Sequence, residues 1–191
     1  MKMMKIVLIS GKRKCGKDYV SERLKQRLGS RSRIVRISEP IKSEWARKLQ
    51  LDLTALLSDG PYKEKYRRDM IVWSDEVRAQ DYGYFCRVAM EEALAHHQTP
   101  YILVSDVRRK NDIKWFRETY GSERVVTLRL TSRPETRCAR GWTFTTGIDD
   151  VPSECDLDDM PDGFDFVLAN DEELDQEAID TLLDKLQLQY Q

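Results

Sequence analysis

The chain has 191 residues, which is enough for one hydrophobic core, and we predict a single domain spanning 1–191. Lys and Arg total 32 against 33 Asp and Glu, a balance that argues against general binding to nucleic acid or membrane surfaces. The four cysteines lack Cys-x-x-Cys spacing and no apolar run reaches roughly 18 residues, which argues against a zinc site, a disulfide framework and a membrane span.

The charges are divided unevenly between the two ends of the chain. Residues 1–38 are strongly basic, whereas residues 149–191 carry many acids and a single base, Lys185. A basic end beside a glycine-rich loop predicts an anionic ligand, and we interpret the acidic end as a solvated surface.

The first predicted elements are a strand at 6–9, a glycine-rich loop and a helix at 18–28. The strand is a short, continuous apolar run, as expected for a strand buried on both faces of a parallel sheet. In the helix, Val20, Leu24 and Leu28 recur every four residues and form one apolar face. Strand, glycine loop and helix together are the context that a phosphate-binding loop requires.

The loop nearly matches the pattern G-x-x-x-x-G-K-[ST], with Gly11, Gly16 and Lys17 in place. Its glycines let backbone N–H groups approach phosphates, and Lys17 adds a charge for the β and γ phosphates. Asp18 stands where a hydroxyl residue is usual; its carboxylate suits Mg²⁺, and the alternative is that it only caps the helix. Three further cations offset the added negative charge: Lys12, Arg13 and Lys14.

The remaining elements alternate between strands and helices. We predict a strand at 33–37, a wholly helical region at 40–98, strands at 101–106, 125–130 and 164–170, a helix at 111–120, a polar and mobile loop at 131–163, and a final helix with Leu174, Ala178, Leu182 and Leu186 on one face. His96 and His97 have no third ligand at metal spacing, and we interpret them as a surface helix end. The alternation predicts a three-layer α/β fold with a parallel sheet and ligands at its carboxyl edge.

Further charged residues are predicted at that edge. Asp106 ends a strand where a second carboxylate would help to hold Mg²⁺, although a turn-forming role is the alternative. Arg108 and Arg109 follow it, and the planar guanidinium suits phosphate. Two more basic clusters extend the candidate anion pocket, each with ordinary surface charge as the alternative: Lys63, Arg67, Arg68 and Arg78 in the helical region, and Arg133, Arg137 and Arg140 in the loop.

Together these motifs resemble the animal-type phosphomevalonate kinases, whose fold is similar to that of nucleoside monophosphate kinases. The resemblance covers nearly the whole chain and rests on SGKRKCGKD at 10–18, YKEKYRRDMIVWSDEVR at 62–78, FCR at 85–87, VSDVRR at 104–109, DIKWFRETYG at 112–121, RGWTFTTGIDD at 140–150, and SECDLD with FDFVLAN after it. It implies a three-layer parallel-sheet P-loop kinase. The implied parts are a core at 1–38, 99–130 and 164–191, an acceptor-binding helical region at about 39–98 and a lid at about 131–163.

The reaction implied by the resemblance transfers the γ-phosphoryl group of MgATP to (R)-5-phosphomevalonate, in the mevalonate route to isoprenoids. Such an acceptor needs no catalytic base, because a phosphate monoester with a second pKa near ~6 is already anionic at neutral pH. The implied catalytic residues are Lys17, Arg13, Arg108, Arg137 and Arg140. ATP would contact Gly11, Lys12, Arg13, Lys14, Cys15, Gly16, Lys17, Asp18, Arg140 and Asp171; the acceptor would contact Lys42, Lys63, Arg78, Arg108, Arg109 and Asn170; Mg²⁺ would contact Asp18 and Asp106.

Two other functions compete with this interpretation. A nucleoside or nucleoside monophosphate kinase has the same architecture, but the helical region is dense in cations and shows no obvious aromatic and amide cluster for a base. A P-loop switch protein lacks support, because no guanine-reading N-K-x-D occurs. The resemblance implies a monomer without nucleic-acid or membrane partners. We expect it in the cytosol, because the cysteine spacing suggests no disulfide framework, and the terminal LQYQ lacks the peroxisomal S-K-L type signal.

Overall fold

A parallel β-sheet with helices on both faces forms the centre of the molecule. The computed structural model describes residues 4–58, 60–95, 99–160 and 163–190, and His96 and His97 lie outside these ranges. Within them the sheet has the order β2-β3-β1-β4-β5, and every pairing is parallel. The strands are β1 (Lys5–Ser10), β2 (Ser32–Val35), β3 (Tyr101–Val107), β4 (Val125–Thr131) and β5 (Phe166–Ala169).

The helices confirm the predicted alternation and divide the long helical region. The described helices are α1 (Lys17–Leu28), α2 (Ser38–Leu49), α3 (Leu53–Leu57), α4 (Pro61–Gln80), α5 (Tyr84–Leu94), α6 (Lys110–Tyr120), α7 (Pro134–Ala139), α8 (Pro152–Cys155) and α9 (Gln176–Lys185). The region predicted as wholly helical is therefore four helices, α2 to α5. The predicted loop at 131–163 contains two short helices, α7 and α8, and each begins with a proline, whose fixed φ suits the first helical turn.

Strand β1 supplies side chains to both layers of the core. Because side chains alternate along a strand, Ile6 and Leu8 pack on one face with Phe85 and Phe116, from α5 and α6. Val7 and Ile9 pack on the other face with the apolar side of α1 and α9. This two-sided burial explains the continuous apolar run of β1 and confirms the predicted three-layer arrangement.

The helices between β2 and β3 have a small core of their own. Trp45, Leu56 and Met70 bury their side chains together, and the Trp45 and Trp73 rings lie 5.4 Å apart. Trp73 also packs against the main core and meets Phe85 edge-on at 5.7 Å between ring centroids. This helical region is thereby fixed to the sheet through aromatic contacts.

The last strand and helix differ slightly from their predicted form. Strand β5 is shorter than the predicted 164–170, and α9 begins after Asp175, whose carboxylate accepts the Ala178 N–H at 2.8 Å. The buried face of α9 includes Ile179 and Leu183 in addition to the predicted Leu182. None of the helices in the described ranges combines the length and apolar character needed to cross a bilayer.

We expect Phe116→Ala to destabilise the fold strongly, because this fully buried ring fills the core between α6 and the sheet. The expected loss in the free energy of unfolding is about 3–5 kcal/mol, measured by urea denaturation. Val72→Ala, on the exposed side of α4, serves as the control and should change it by less than about 0.5 kcal/mol. Equal losses in the two variants would contradict the assigned core.

Candidate functional site

Four strands deliver the predicted site to one edge of the sheet. The phosphate loop at 11–16 follows β1, Arg108 follows β3, the segment 132–163 follows β4, and Asn170 follows β5. Because these strands are parallel and adjacent, their carboxyl ends lie side by side. Residues that are far apart in the sequence therefore form one cleft.

The phosphate loop is closely packed against its neighbours. Gly16 has φ 92°, and a Cβ there would lie 2.2 Å from Asn170 Nδ2. At Gly11 a Cβ would lie 2.5 Å from Cys15 Sγ and 2.7 Å from the Leu130 carbonyl oxygen. Neither position has room for a side chain, so the glycines of the motif are required by both backbone conformation and space.

Lys17 lies inside the loop that precedes it. Its Nζ donates to the carbonyl oxygens of Gly11 at 2.5 Å and Lys12 at 3.0 Å, and the side chain is buried. Burial and the nearby Arg108 guanidinium hold the Lys17 pKa below the 10.5 of a solvated lysine. The ammonium group therefore lies against the loop carbonyl oxygens and close to Arg108.

Asn170 joins the phosphate loop to the segment after β4. Its side-chain Nδ2 donates to the Cys15 carbonyl oxygen at 2.8 Å, and its backbone carbonyl oxygen accepts from Arg140 Nη2 at 2.8 Å. Arg140 also donates to Ser132 Oγ at 3.2 Å. Asn170 therefore ties Arg140 to the phosphate loop, and the nucleotide-binding role of Arg140 and the acceptor-binding role of Asn170 stay predictions.

Two acids from the segment after β4 contact the phosphate loop directly. Glu154, with a side chain only 3% exposed, accepts the backbone N–H of Arg13 at 2.9 Å and pairs with the Arg108 guanidinium. Asp149 accepts from Arg13 Nη1 at 2.9 Å. The interpretation of the acidic end as a solvated surface is therefore wrong for these two residues. It holds for others such as Glu172, which is exposed.

The same segment contacts the loop through further pairs. Arg137 donates through Nε to the Arg13 carbonyl oxygen at 2.8 Å, and its guanidinium stacks 3.9 Å from the centre of the Trp142 ring. Asp158 binds Lys12 Nζ at 2.6 Å. Arg137 thus lies beside the loop, as its predicted catalytic role requires, whereas the cations of the loop are balanced by acids that the motif does not reveal.

The predicted acceptor arginines form ion pairs on the other side of the cleft. Arg78 donates to the buried carboxylate of Asp112 at 2.6 Å, and Arg109 pairs with Asp75. Burial is the largest single effect on Arg78 and opposes its charge, but Asp112 together with Cys86 and Asp75 raises the pKa of the guanidinium overall. Asp112 also accepts the backbone N–H groups of Arg108 at 3.2 Å and Arg109 at 3.0 Å. Asp112 therefore holds this arginine group in place.

Lys42 and Lys63 contribute positive charge from α2 and α4. Burial lowers the pKa of Lys42, and Lys63 lowers it further, so the two ammonium groups act on each other. The Asp106 carboxylate partly opposes this effect. Lys42 is therefore close to Asp106 near the end of β3, with Lys63 close to Lys42; their acceptor-binding role stays a prediction.

The two predicted metal ligands border the same short segment, 36–38. Asp18 is 80% exposed and lies 3.8 Å from Arg36 Nε, while Asp106 accepts the N–H groups of Ile37 at 2.7 Å and Ser38 at 2.9 Å. Among the residues that the structure describes, no group of three or more His, Cys, Asp or Glu forms a metal cluster. One exposed carboxylate and one hydrogen-bonded carboxylate fit Mg²⁺, which takes few protein ligands and several phosphate or water oxygens.

The remaining predicted nucleotide ligands lie in the loop or next to it. Lys14 is exposed with φ 61°, and Cys15 is buried under Asn170. Asp171 accepts the Arg133 N–H at 2.7 Å, and this bond lowers the pKa of its carboxyl group. Asp171 therefore anchors the start of α7, which carries Arg137.

Comparisons with known proteins agree with the motifs. The family described as phosphomevalonate kinase matches residues 9–122. A curated phosphomevalonate kinase from Drosophila melanogaster is 90% identical over 188 residues, which are 98% of this chain and 100% of that protein.

Two solved structures share the fold at low sequence identity. A Thermus thermophilus protein, TT1252, matches with a TM-score of 0.56 at 16% identity and 97% coverage of both chains. A shikimate kinase from Bacteroides thetaiotaomicron matches with a TM-score of 0.50 at 12% identity, over 97% of this chain and 99% of that one. At these identities the likeness shows the fold alone.

We expect Lys17→Met to unfold cooperatively and to change how stability depends on pH. Because the folded pKa of Lys17 is lowered, the unfolded chain binds more protons at this site up to 10.5, and the stability of the native protein rises with pH across that interval. The stability of the native protein relative to the variant should therefore rise with pH in the alkaline range below 10.5, measured by urea unfolding. A stability difference that stays constant over this range would contradict the buried ammonium.

Proposed function

Since the chain belongs to the phosphomevalonate kinase family, we propose that the cleft described above carries out the transfer of the ATP γ-phosphoryl group to 5-phosphomevalonate. The enzyme is an ATP-dependent phosphotransferase, and its product is the diphosphate. The observation that supports this placement most is Arg108, whose guanidinium acts on Lys17 of the phosphate loop and whose backbone N–H shares the Asp112 carboxylate with Arg78 of the acceptor side. A phosphoryl group transferred from ATP to the acceptor phosphate would pass close to the Arg108 guanidinium.

On the donor side, the loop N–H groups and Lys17 would bind the β and γ phosphates at the start of α1, where the helix dipole favours negative charge. Arg140 and Arg137 would approach the nucleotide from the opposite side, since both already contact residues of or beside the loop. These cations would stabilise the charge on the transferring group, an effect worth about 10³- to 10⁵-fold in rate for arginines in phosphoryl-transfer enzymes.

On the acceptor side, Arg78 and Arg109 would bind the phosphate of phosphomevalonate with support from Lys42 and Lys63. Asp112 and Asp75 hold the two arginines, so their orientation is set before the acceptor arrives. The attacking oxygen is already an anion at neutral pH, and the chain needs to supply position and neutralisation rather than a base.

We infer that Asp18 and Asp106 are the protein groups that would hold Mg²⁺. When bound, Mg²⁺ neutralises phosphate charge and orients the transferring group. Asp18 offers an exposed carboxylate at the start of α1, and Asp106 retains lone pairs beyond its two hydrogen bonds to the start of α2. An aspartate next to the loop lysine is therefore chemically adequate where a hydroxyl residue is usual.

We further propose that the enzyme acts as a monomer in the cytosol. One chain supplies the phosphate loop, the acceptor arginines and the lid segment of the cleft, which supports a monomer. The four cysteines are free thiols, as is usual in a reducing compartment.

We expect MgATP to phosphorylate phosphomevalonate at least about 100-fold faster than AMP, CMP or UMP, because the acceptor side offers cations rather than a base-binding pocket. A coupled assay of ADP release with each acceptor measures this ratio. Lys17→Met is the control and should lower turnover by at least about 100-fold, since it removes a phosphate-binding charge. Faster turnover of any nucleotide than of phosphomevalonate would overturn the proposed acceptor.

We expect Asp18→Ala to raise the Mg²⁺ concentration for half-maximal activity by at least about 10-fold. Asp18→Ser, which restores the usual hydroxyl ligand, should recover most of the Mg²⁺ affinity. Glu22→Gln is a matched control, because Glu22 also pairs with Arg36 and lies on the same helix. If the Mg²⁺ titrations of Asp18→Ala and Glu22→Gln coincide, Asp18 is not a metal ligand.

A further inference from the structure

We propose that Glu154 couples the binding of the two substrates, because its carboxylate is held by one donor from each half of the cleft. This inference rests on the proposed function, which assigns the phosphate loop to ATP and Arg108 to the acceptor and the transferring group. Glu154 lies on α8, in the segment that follows β4, and its side chain is buried between these two halves. No part of the phosphate-loop motif points to it.

The first donor is a backbone N–H of the phosphate loop. Glu154 Oε2 accepts the Arg13 N–H at 2.9 Å, and this amide has a single hydrogen. A carboxylate oxygen and a phosphate oxygen are both anionic acceptors, and they compete for such a donor. A phosphate seated at this position of the loop therefore displaces Glu154.

The second donor is the Arg108 guanidinium. Glu154 Oε1 pairs with Arg108 Nη1, and the same nitrogen donates to the Ser153 carbonyl oxygen at 3.3 Å. Burial is the largest single effect on Arg108 and opposes its charge, but Glu154 together with Asp106 raises the pKa of the guanidinium overall. While the pair persists, the charge of Arg108 is largely neutralised, and the guanidinium attracts a substrate phosphate less strongly.

The two competitions are linked because one carboxylate takes part in both. When ATP displaces Glu154 from the Arg13 N–H, Arg108 is the one remaining anchor of the carboxylate, and the advantage of two simultaneous contacts is lost. When the acceptor phosphate binds Arg108, the Arg13 N–H is the one remaining anchor of Glu154, and ATP displaces the carboxylate from it more easily. Each substrate therefore favours the other, and linkage requires the effect to be equal in both directions.

The Glu154 carboxylate would repel the negatively charged phosphoryl group during transfer, so turnover requires the carboxylate to move away. Two unit charges about 4 Å apart in a partly screened site repel strongly, and the transferring group would pass between the donor and acceptor sides. Arg13 and Lys12 have their own partners in Asp149 and Asp158, on either side of Glu154 in the sequence. Release of Glu154 would thus occur together with movement of the whole acidic segment, 149–158.

Calorimetric titration of the full chain tests the coupling. Phosphomevalonate is titrated into the protein alone and into the protein saturated with Mg²⁺ and a non-hydrolysable ATP analogue, and the ratio of the two Kd values is the coupling factor. In Glu154→Gln we expect phosphomevalonate alone to bind about 10-fold more tightly than in the native protein, and the coupling factor to fall about 10-fold.

Two further variants make the result specific. Asp159→Asn also removes one negative charge from the segment that follows β4. Because Asp159 contacts Lys110 and not the cleft, this variant should behave as the native protein. Glu154→Asp keeps the charge, but its shorter side chain cannot reach both donors, so the coupling factor should fall here too. Thermal melts check that each variant is folded.

The results of these titrations distinguish a failure of the Glu154 coupling from a failure of the proposed function. If Glu154→Gln binds phosphomevalonate more weakly than the native protein, or if its coupling factor is unchanged, Glu154 orients Arg108 instead and the inference fails. A native coupling factor in Glu154→Asp would also overturn it. If the native protein binds neither phosphomevalonate nor the ATP analogue, the proposed function itself fails.

Discussion

The structure depends above all on how a crowded set of positive charges is kept stable at one edge of a sheet. In the proposed function the cations at this edge bind two polyanions, and most of those described pair with an acid: Arg13 with Asp149, Arg78 with Asp112, Arg108 with Glu154. A buried charge without a partner is costly, so these acids allow the cations to be preorganised. The phosphates of the substrates then meet cations whose positions are already fixed.

The acids fall into two groups by their place in the fold. Asp112 lies at the start of α6 and also binds backbone N–H groups, so it is a permanent support for the acceptor arginines. Glu154 and Asp149 come from the segment after β4, which contains only short helices. A support on a regular element suits fixed positioning, whereas an acid on an irregular segment is suited to release.

Most of the fold and half of the site could be predicted from the sequence. Local patterns such as the apolar run of β1 and the four-residue spacing of α1 depend on neighbours in the chain, and they predicted strands and helices well. The acids escaped prediction because Glu154 lies 141 residues from its partner Arg13, and charge along the sequence does not show which acid turns inward. The breaks between α2, α3, α4 and α5 also escaped, although Gly60 and Pro61 at the start of α4 and Gly83 before α5 are residues that commonly end helices.

The most direct test of the neutralised cleft is a crystal structure with phosphomevalonate and a non-hydrolysable ATP analogue bound together. We expect the analogue phosphates on Lys17 and the loop N–H groups, the acceptor phosphate on Arg78, Arg108 and Arg109, and Glu154 withdrawn from the Arg13 N–H. An acceptor phosphate bound away from these arginines, with Glu154 still contacting Arg13 and Arg108, would contradict it.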